Sequence, residues 1–184
     1  MNKILAVLTA LLLSACVSHS RVNVPEYIKH HEKSYYLVSA IDLETVARYF
    51  YLPKEHTVEN WQSAVELLHD RNREKRSLSD RITLRRHVYQ NNGVKQFNLY
   101  LKDNELYSFV IYEPTEKNPT WQVDIAKGKE IPFCGFIQYQ YSFKLMKAPT
   151  SAMSKHKIER YLKKYIVDKE IAQLEQYKIV GCYQ

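Results

Sequence analysis

From Trp121 to Leu145 apolar and polar residues take turns. Gln122 and Asp124 separate Trp121, Val123 and Ile125, while Gln138, Gln140, Ser142 and Lys144 separate Ile137, Tyr139, Tyr141, Phe143 and Leu145. A period of two marks half-buried strands, and a sheet with one wet face is antiparallel. Lys127-Gly128-Lys129 is the expected turn between these two strands. Tyr35–Ile41 and Val46–Leu52 predict two earlier strands, the second ended by Pro53.

Residues 94–114 carry a hairpin signal around Asp103-Asn104-Glu105. A two-residue loop would set Leu99 against Ser108 and Phe97 against Val110, leaving both faces mixed. A three-residue loop sets Leu101 against Tyr107, Leu99 against Phe109 and Phe97 against Ile111, which gathers the apolar side chains on one face. The longer loop is therefore expected.

Helical spacing appears three times. Trp61, Ala64, Val65 and Leu68 fit one helical face with Thr57 as a cap, although Ala64–His69 also fits a buried strand; the helix is the favoured assignment. Ser77 or Ser79 can cap a helix ending near Asn92-Gly93, with Leu78, Ile82, Val88 and Tyr89 inward and its arginines outward. A C-terminal helix opens around Pro149 and Ser151, with Ile158, Leu162, Tyr165 and Ile166 as its apolar stripe. A break near Asp168 and a short final strand follow. The sum is an α+β fold: an antiparallel sheet of about five or six strands with helices packed on one face.

The amino terminus has a different pattern. Ile4–Leu13 is almost wholly apolar and follows Lys3. Such a run is too short for a bilayer core, which takes ~20 helical residues, and suits a secretory signal. It closes on Leu13-Ser14-Ala15-Cys16, which resembles the lipobox of bacterial lipoproteins. The resemblance implies that residues 1–15 are a signal peptide, that the Cys16 thiol carries diacylglycerol, and that its freed amino group is acylated. Each buried methylene contributes ~0.8 kcal/mol; one chain holds reversibly, and three would anchor effectively permanently. Val17 and Ser18 follow, without the aspartate of inner-membrane members, so the resemblance implies an outer-membrane anchor with the body facing the periplasm. Residues 16–33 are then the lipidated N-terminus and a tether without sustained periodicity, and residues 34–184 a single periplasmic domain.

Composition narrows the picture modestly. Removal of residues 1–15 leaves 169 residues with 26 lysines and arginines against 20 acids. That balance suits an anionic surface or an acidic envelope partner; nucleic acid is not expected for an exported protein. Fifteen tyrosines against four glycines fit strand packing and leave little material for phosphate-cradling loops.

Candidate chemistry is sparse. Cys134 and Cys182 remain once Cys16 is lipidated, and in an oxidising compartment they are expected to form a disulfide, with a glycine beside each. The rival is a reactive Cys134 beside a histidine. His30-His31 are adjacent on an extended tether and should point apart, so neither a metal nor a cofactor is expected. Nothing in the spacing of Glu113, Glu116, Asp124 and Glu130 brings two carboxylates together. Arg81, Arg85 and Arg86 are the candidate partner-binding residues, on an exposed basic helix that equally fits a plain solvated face. No nucleophile or nucleotide motif occurs. The expectation is a non-enzymatic, lipid-anchored binding or accessory module. The alternatives are an immunity-type periplasmic lipoprotein that neutralises a toxin and, more weakly, a cell-envelope enzyme.

Overall fold

The structure, a computed structural model, describes residues 21–146 and 153–183. The lipobox through Cys16, and the expected helix start at Pro149 and Ser151, lie outside them. Among the described residues the strands are β1 (Arg21–Val22), β2 (Tyr27–His30), β3 (Lys33–Asp42), β4 (Val46–Leu52), β5 (Ser63–Asp70), β6 (Gln96–Lys102), β7 (Glu105–Tyr112), β8 (Thr120–Ile131), β9 (Gly135–Met146) and β10 (Cys182–Tyr183). Helix α1 spans Leu78–Asn91. The C-terminal segment runs as α2 (Lys155–Leu162), a π-helical turn (Lys163–Val167) and α3 (Asp168–Gln176).

Eight strands form one antiparallel sheet in the order β2-β3-β4-β5-β9-β8-β7-β6, curled into a half-barrel. The expected five or six strands with helices on one face is therefore corrected twice. The sheet is larger, and its helices lie on opposite faces. Ile158, Leu162, Val167 and Leu174 of the C-terminal segment pack with Ile28, Tyr35, Tyr51, Val65, Tyr139, Val123, Tyr107 and partly buried Tyr100. These are side chains from all eight strands, so this is the inside of the curl. Helix α1 sits outside: Leu78, Ile82 and Tyr89 pack with Leu99, Leu106, Phe136 and Phe97.

Two-sided coverage explains the other departures. β5 occupies residues expected to be helical; it is the fourth strand of the sheet, and all its residues except Glu66 and Leu68 are buried. With no wet face its period of two disappears, and an apolar run alone does not separate strand from helix. The β6–β7 hairpin has the two-residue loop, with Lys102 opposite Glu105, Leu99 opposite Ser108 and Phe97 opposite Val110. Asp103 and Asn104 both take positive φ, 51° and 59°, as a type I′ turn demands. Mixed faces are suited to a hairpin with a helix on each side.

β8 also runs straight through Lys127-Gly128-Lys129. The turn comes later, at residues 132–134, where Phe133 has φ 62°. Lys127 is buried, pairs with Glu105 at 2.9 Å and donates to the Tyr177 carbonyl at 3.0 Å. Gly128 leaves room for the Phe136 ring, which a Cβ there would strike.

The stretch expected to be a tether contributes β1 and β2. β2 and the start of β3 form a hairpin at one sheet edge, while β1 pairs with β10, Val22 opposite Cys182. Val22, Cys134 and Ile137 form a small second core there.

Candidate functional site

Ser77 starts α1 with a capping box: its hydroxyl accepts from the Asp80 N–H at 3.1 Å, and Asp80 accepts from the Ser77 N–H at 2.9 Å. From that start the helix turns Leu78, Ile82 and Tyr89 inward as expected, but Val88 and Arg81 do not follow the expected faces. Arg81 is buried, donates to Asp70 at 2.7 Å and lies 4.2 Å over the Phe136 ring. Leu84 and Val88 are about half exposed, at 51% and 48%. The expectation of Arg81 on a free basic face is thus corrected: it is an internal ion-pair residue. Arg86 is exposed. Arg85 is half-buried between α1 and the sheet; it has no ion pair or hydrogen bond among the described residues. Burial pulls its guanidinium below the ordinary range.

Arg85 faces the polar outer surface of the sheet. Strand alternation places Glu66 on β5, Gln138, Gln140, Ser142 and Lys144 on β9, and Gln122 and Asp124 on β8 on this one face. A chain of hydrogen bonds runs along it. Gln138 Nε2 donates to Gln140 Oε1 at 3.5 Å, and Gln140 Nε2 donates to Ser142 Oγ at 3.2 Å. Ser142 and Gln122 both donate to Asp124, the latter at 2.9 Å. Every donor in the chain leads towards Asp124, so its far end is left unanswered. Gln138 is 3% exposed and its Oε1 has no partner among the described residues.

The charges here are poorly compensated. Burial pushes the Asp124 carboxyl up, against the hydrogen bonds from Gln122 and Ser142. Burial pulls Lys144 down; its ammonium lies 3.6 Å over the Trp61 ring. Glu66, within electrostatic reach of both Asp124 and Arg85, is occupied by Arg48 at 2.6 Å. Two desolvated cations, a reluctant carboxylate and an orphaned amide oxygen share one half-buried polar patch beside α1. A ligand with anionic groups would supply what Arg85 and Lys144 lack. Sequence reasoning singled out Arg85 but missed the rest. The signal was the polar half of the β9 alternation, read only as a wet face.

The remaining candidates separate. Cys134 and Cys182 are joined as a disulfide with Cα atoms 6.1 Å apart. Gly135 has φ +99°, and a Cβ there would strike the Asp70 backbone, so glycine is required; nothing lies close to Gly181. His69, buried, lies with Nε2 2.8 Å from the Cys134 carbonyl oxygen and 3.6 Å from its sulfur. Glu113 pairs with Lys155 at 2.5 Å, and Glu130 accepts from Asn72 at 2.9 Å. Asp124 and Glu130 share β8 six residues apart, roughly 20 Å along the strand. No carboxylate pair forms among these four.

A protein-family model matches residues 22–179, and the chain belongs to that family. A relative from Haemophilus influenzae, named only as an uncharacterized protein, is 45% identical over 186 residues, covering 97% of this chain and 96% of its own. No solved structure matches. Among the described residues no helix is long and apolar enough to cross a membrane.

Proposed function

We propose that this protein is an outer-membrane-anchored lipoprotein that works as a non-enzymatic binding module, holding an acidic envelope partner against the polar outer sheet face beside α1. The lipobox-like Leu13-Ser14-Ala15-Cys16 supports the anchor. The observation that carries the binding reading is Arg85, a desolvated guanidinium with no ion pair among the described residues. A buried unpaired cation is costly, and an incoming carboxylate or phosphate removes that cost by bidentate hydrogen bonding. Lys144, its charge also disfavoured by burial, extends the same recognition surface. Affinity capture of the lipidated protein from cross-linked cells tests it. Arg85→Gln with Lys144→Gln should retain the fold but lose an acidic partner, and raised salt should mimic that loss. An identical capture profile from wild type and variant would contradict the reading.

An immunity-type role is the second reading, favoured by the edge of β3. β2 covers β3 only from Lys33 to Tyr36. Beyond that, no strand lies on the outer side of β3 up to Asp42 among the described residues, while Val38, Ile41 and Leu43 are 46%, 52% and 66% exposed. An open apolar edge takes an added strand from a protein partner. Lysines at Val38 and Ile41 should abolish toxin neutralisation if that edge is the interface, and leave it intact if it is not.

A further inference from the structure

Where β2 borders the same edge of the sheet, His30 and His31 meet Glu170, far away in sequence. His30 Nε2 lies 2.9 Å from Glu170 Oε2, and His31 Nε2 lies 2.6 Å from Glu170 Oε1. The three ligand atoms lie within 4.8 Å of one another. Adjacent histidines on an extended chain would diverge. Here His31 takes a left-handed φ of 52° in the β2–β3 turn, and both imidazoles reach the same carboxylate.

Glu170 arrives by an equally local device. In an unbroken α-helix, Leu162 would be followed inward by residues 165, 166 and 169. The π-helical turn at Lys163–Val167 shifts the phase, so Tyr165 is 46% exposed and Val167, Glu170 and Leu174 are buried. π-Turns of this kind recur at functional sites.

The surroundings are those of a ligand set. His30 is 3% exposed, its ring stacks on Tyr141 at 4.1 Å between centroids, and its Nδ1 meets the Tyr139 hydroxyl at 2.7 Å. A hydrogen-bond partner on the second nitrogen fixes the tautomer and orientation of a metal-binding histidine. With an ion on Nε2, His30 Nδ1–H would donate to the Tyr139 hydroxyl. The His31 side chain is 48% exposed, which leaves a coordination position open to water.

We propose that His30, His31 and Glu170 bind a divalent transition-metal ion of the zinc class. Two imidazole nitrogens and one carboxylate with an open fourth position suit zinc. Ligands ~2.0–2.2 Å from zinc in a tetrahedral site lie roughly 3.3–3.5 Å apart, so the two histidine–Glu170 distances, 2.9 and 2.6 Å, need to open by less than about 1 Å. The ion would clasp the N-terminal hairpin to the C-terminal helix.

The test is equilibrium dialysis of the full lipidated chain in detergent against zinc chloride, without a histidine tag and with Cys134–Cys182 kept oxidised. Oxidation keeps the second cluster, His69 with those two sulfurs, from contributing. Expected results are one zinc per chain and a raised melting temperature. Binding should be lost in His31→Ala and in Glu170→Gln, and retained in His156→Ala at an exposed position. Tyr139→Phe should weaken binding by ~10–100-fold while leaving one site. His31 is half exposed, so its variant folds whatever becomes of Glu170. No zinc uptake by the wild type, or uptake retained in either ligand variant, overturns the proposal.

Discussion

Arg81 and Asp70 form the inner ion pair of the outer face, Nη1 to Oδ2 at 2.7 Å, with the arginine side chain 8% and the aspartate 12% exposed. One turn further along α1, Arg85 has no such partner. The two arginines should therefore respond oppositely to truncation. Arg81→Ala strands Asp70 and should lower stability by about 3–5 kcal/mol. Arg85→Ala removes an uncompensated cation and should change stability by less than about 1 kcal/mol. Urea melts of the two variants check the contrast.

Asp124 gives the patch a pH signature. Burial raises its folded pKa above its unfolded value, so its ionised form opposes folding. The opposition is complete above the folded pKa and vanishes as pH falls below the unfolded pKa, ~3.9. The melting temperature of Asp124→Asn relative to wild type should therefore climb as pH rises from about 4 to about 8. A flat difference would mean that the carboxyl is not held against its ionisation.

Cys134–Cys182 closes a loop of sequence separation 48. The chain-entropy model gives roughly 4 kcal/mol for such a loop, as an upper figure. Cys182→Ser should lower the melting temperature by several degrees and expose the β1–β10 pair to protease. Alkylation of unreduced, denatured protein, followed by mass spectrometry, reads the bond itself.

The β6–β7 turn is tested by its left-handed residues. Asn104→Gly should be neutral or stabilising, whereas Asn104→Val should cost about 1–2 kcal/mol, because β-branched residues resist positive φ. Equal stability of the two variants would argue for a longer loop.

Much of the sheet was legible because β8 and β9 alternate, and β4 stops at Pro53 where the sequence says it should. Legibility failed where an element is covered twice. β5 lost its alternation, and the β6–β7 pairing was misjudged, because α1 and the C-terminal segment bury opposite faces of one sheet. On α1 the inward position of Arg81 was hidden for a related reason: its charge is met by Asp70, a partner on β5 that no helical period reveals. The histidine cluster needed two phase changes, a left-handed His31 and a π-turn before Glu170. Neither leaves a compositional mark. Among the residues that form the patch, Arg85 was visible from charge density alone, but its lack of a partner is a tertiary fact.

If Arg85 and Lys144 serve binding, the polar outer sheet face beside α1 meets an anionic partner. Photo-cross-linking from a benzoylphenylalanine at Gln140, in cells carrying the lipidated protein, reads that contact. One dominant adduct is expected, its linked segment rich in carboxylates or phosphate, absent when Arg85→Glu is added, while a probe at exposed Glu59 gives none. Adducts equal from both positions, or unchanged by Arg85→Glu, would contradict it.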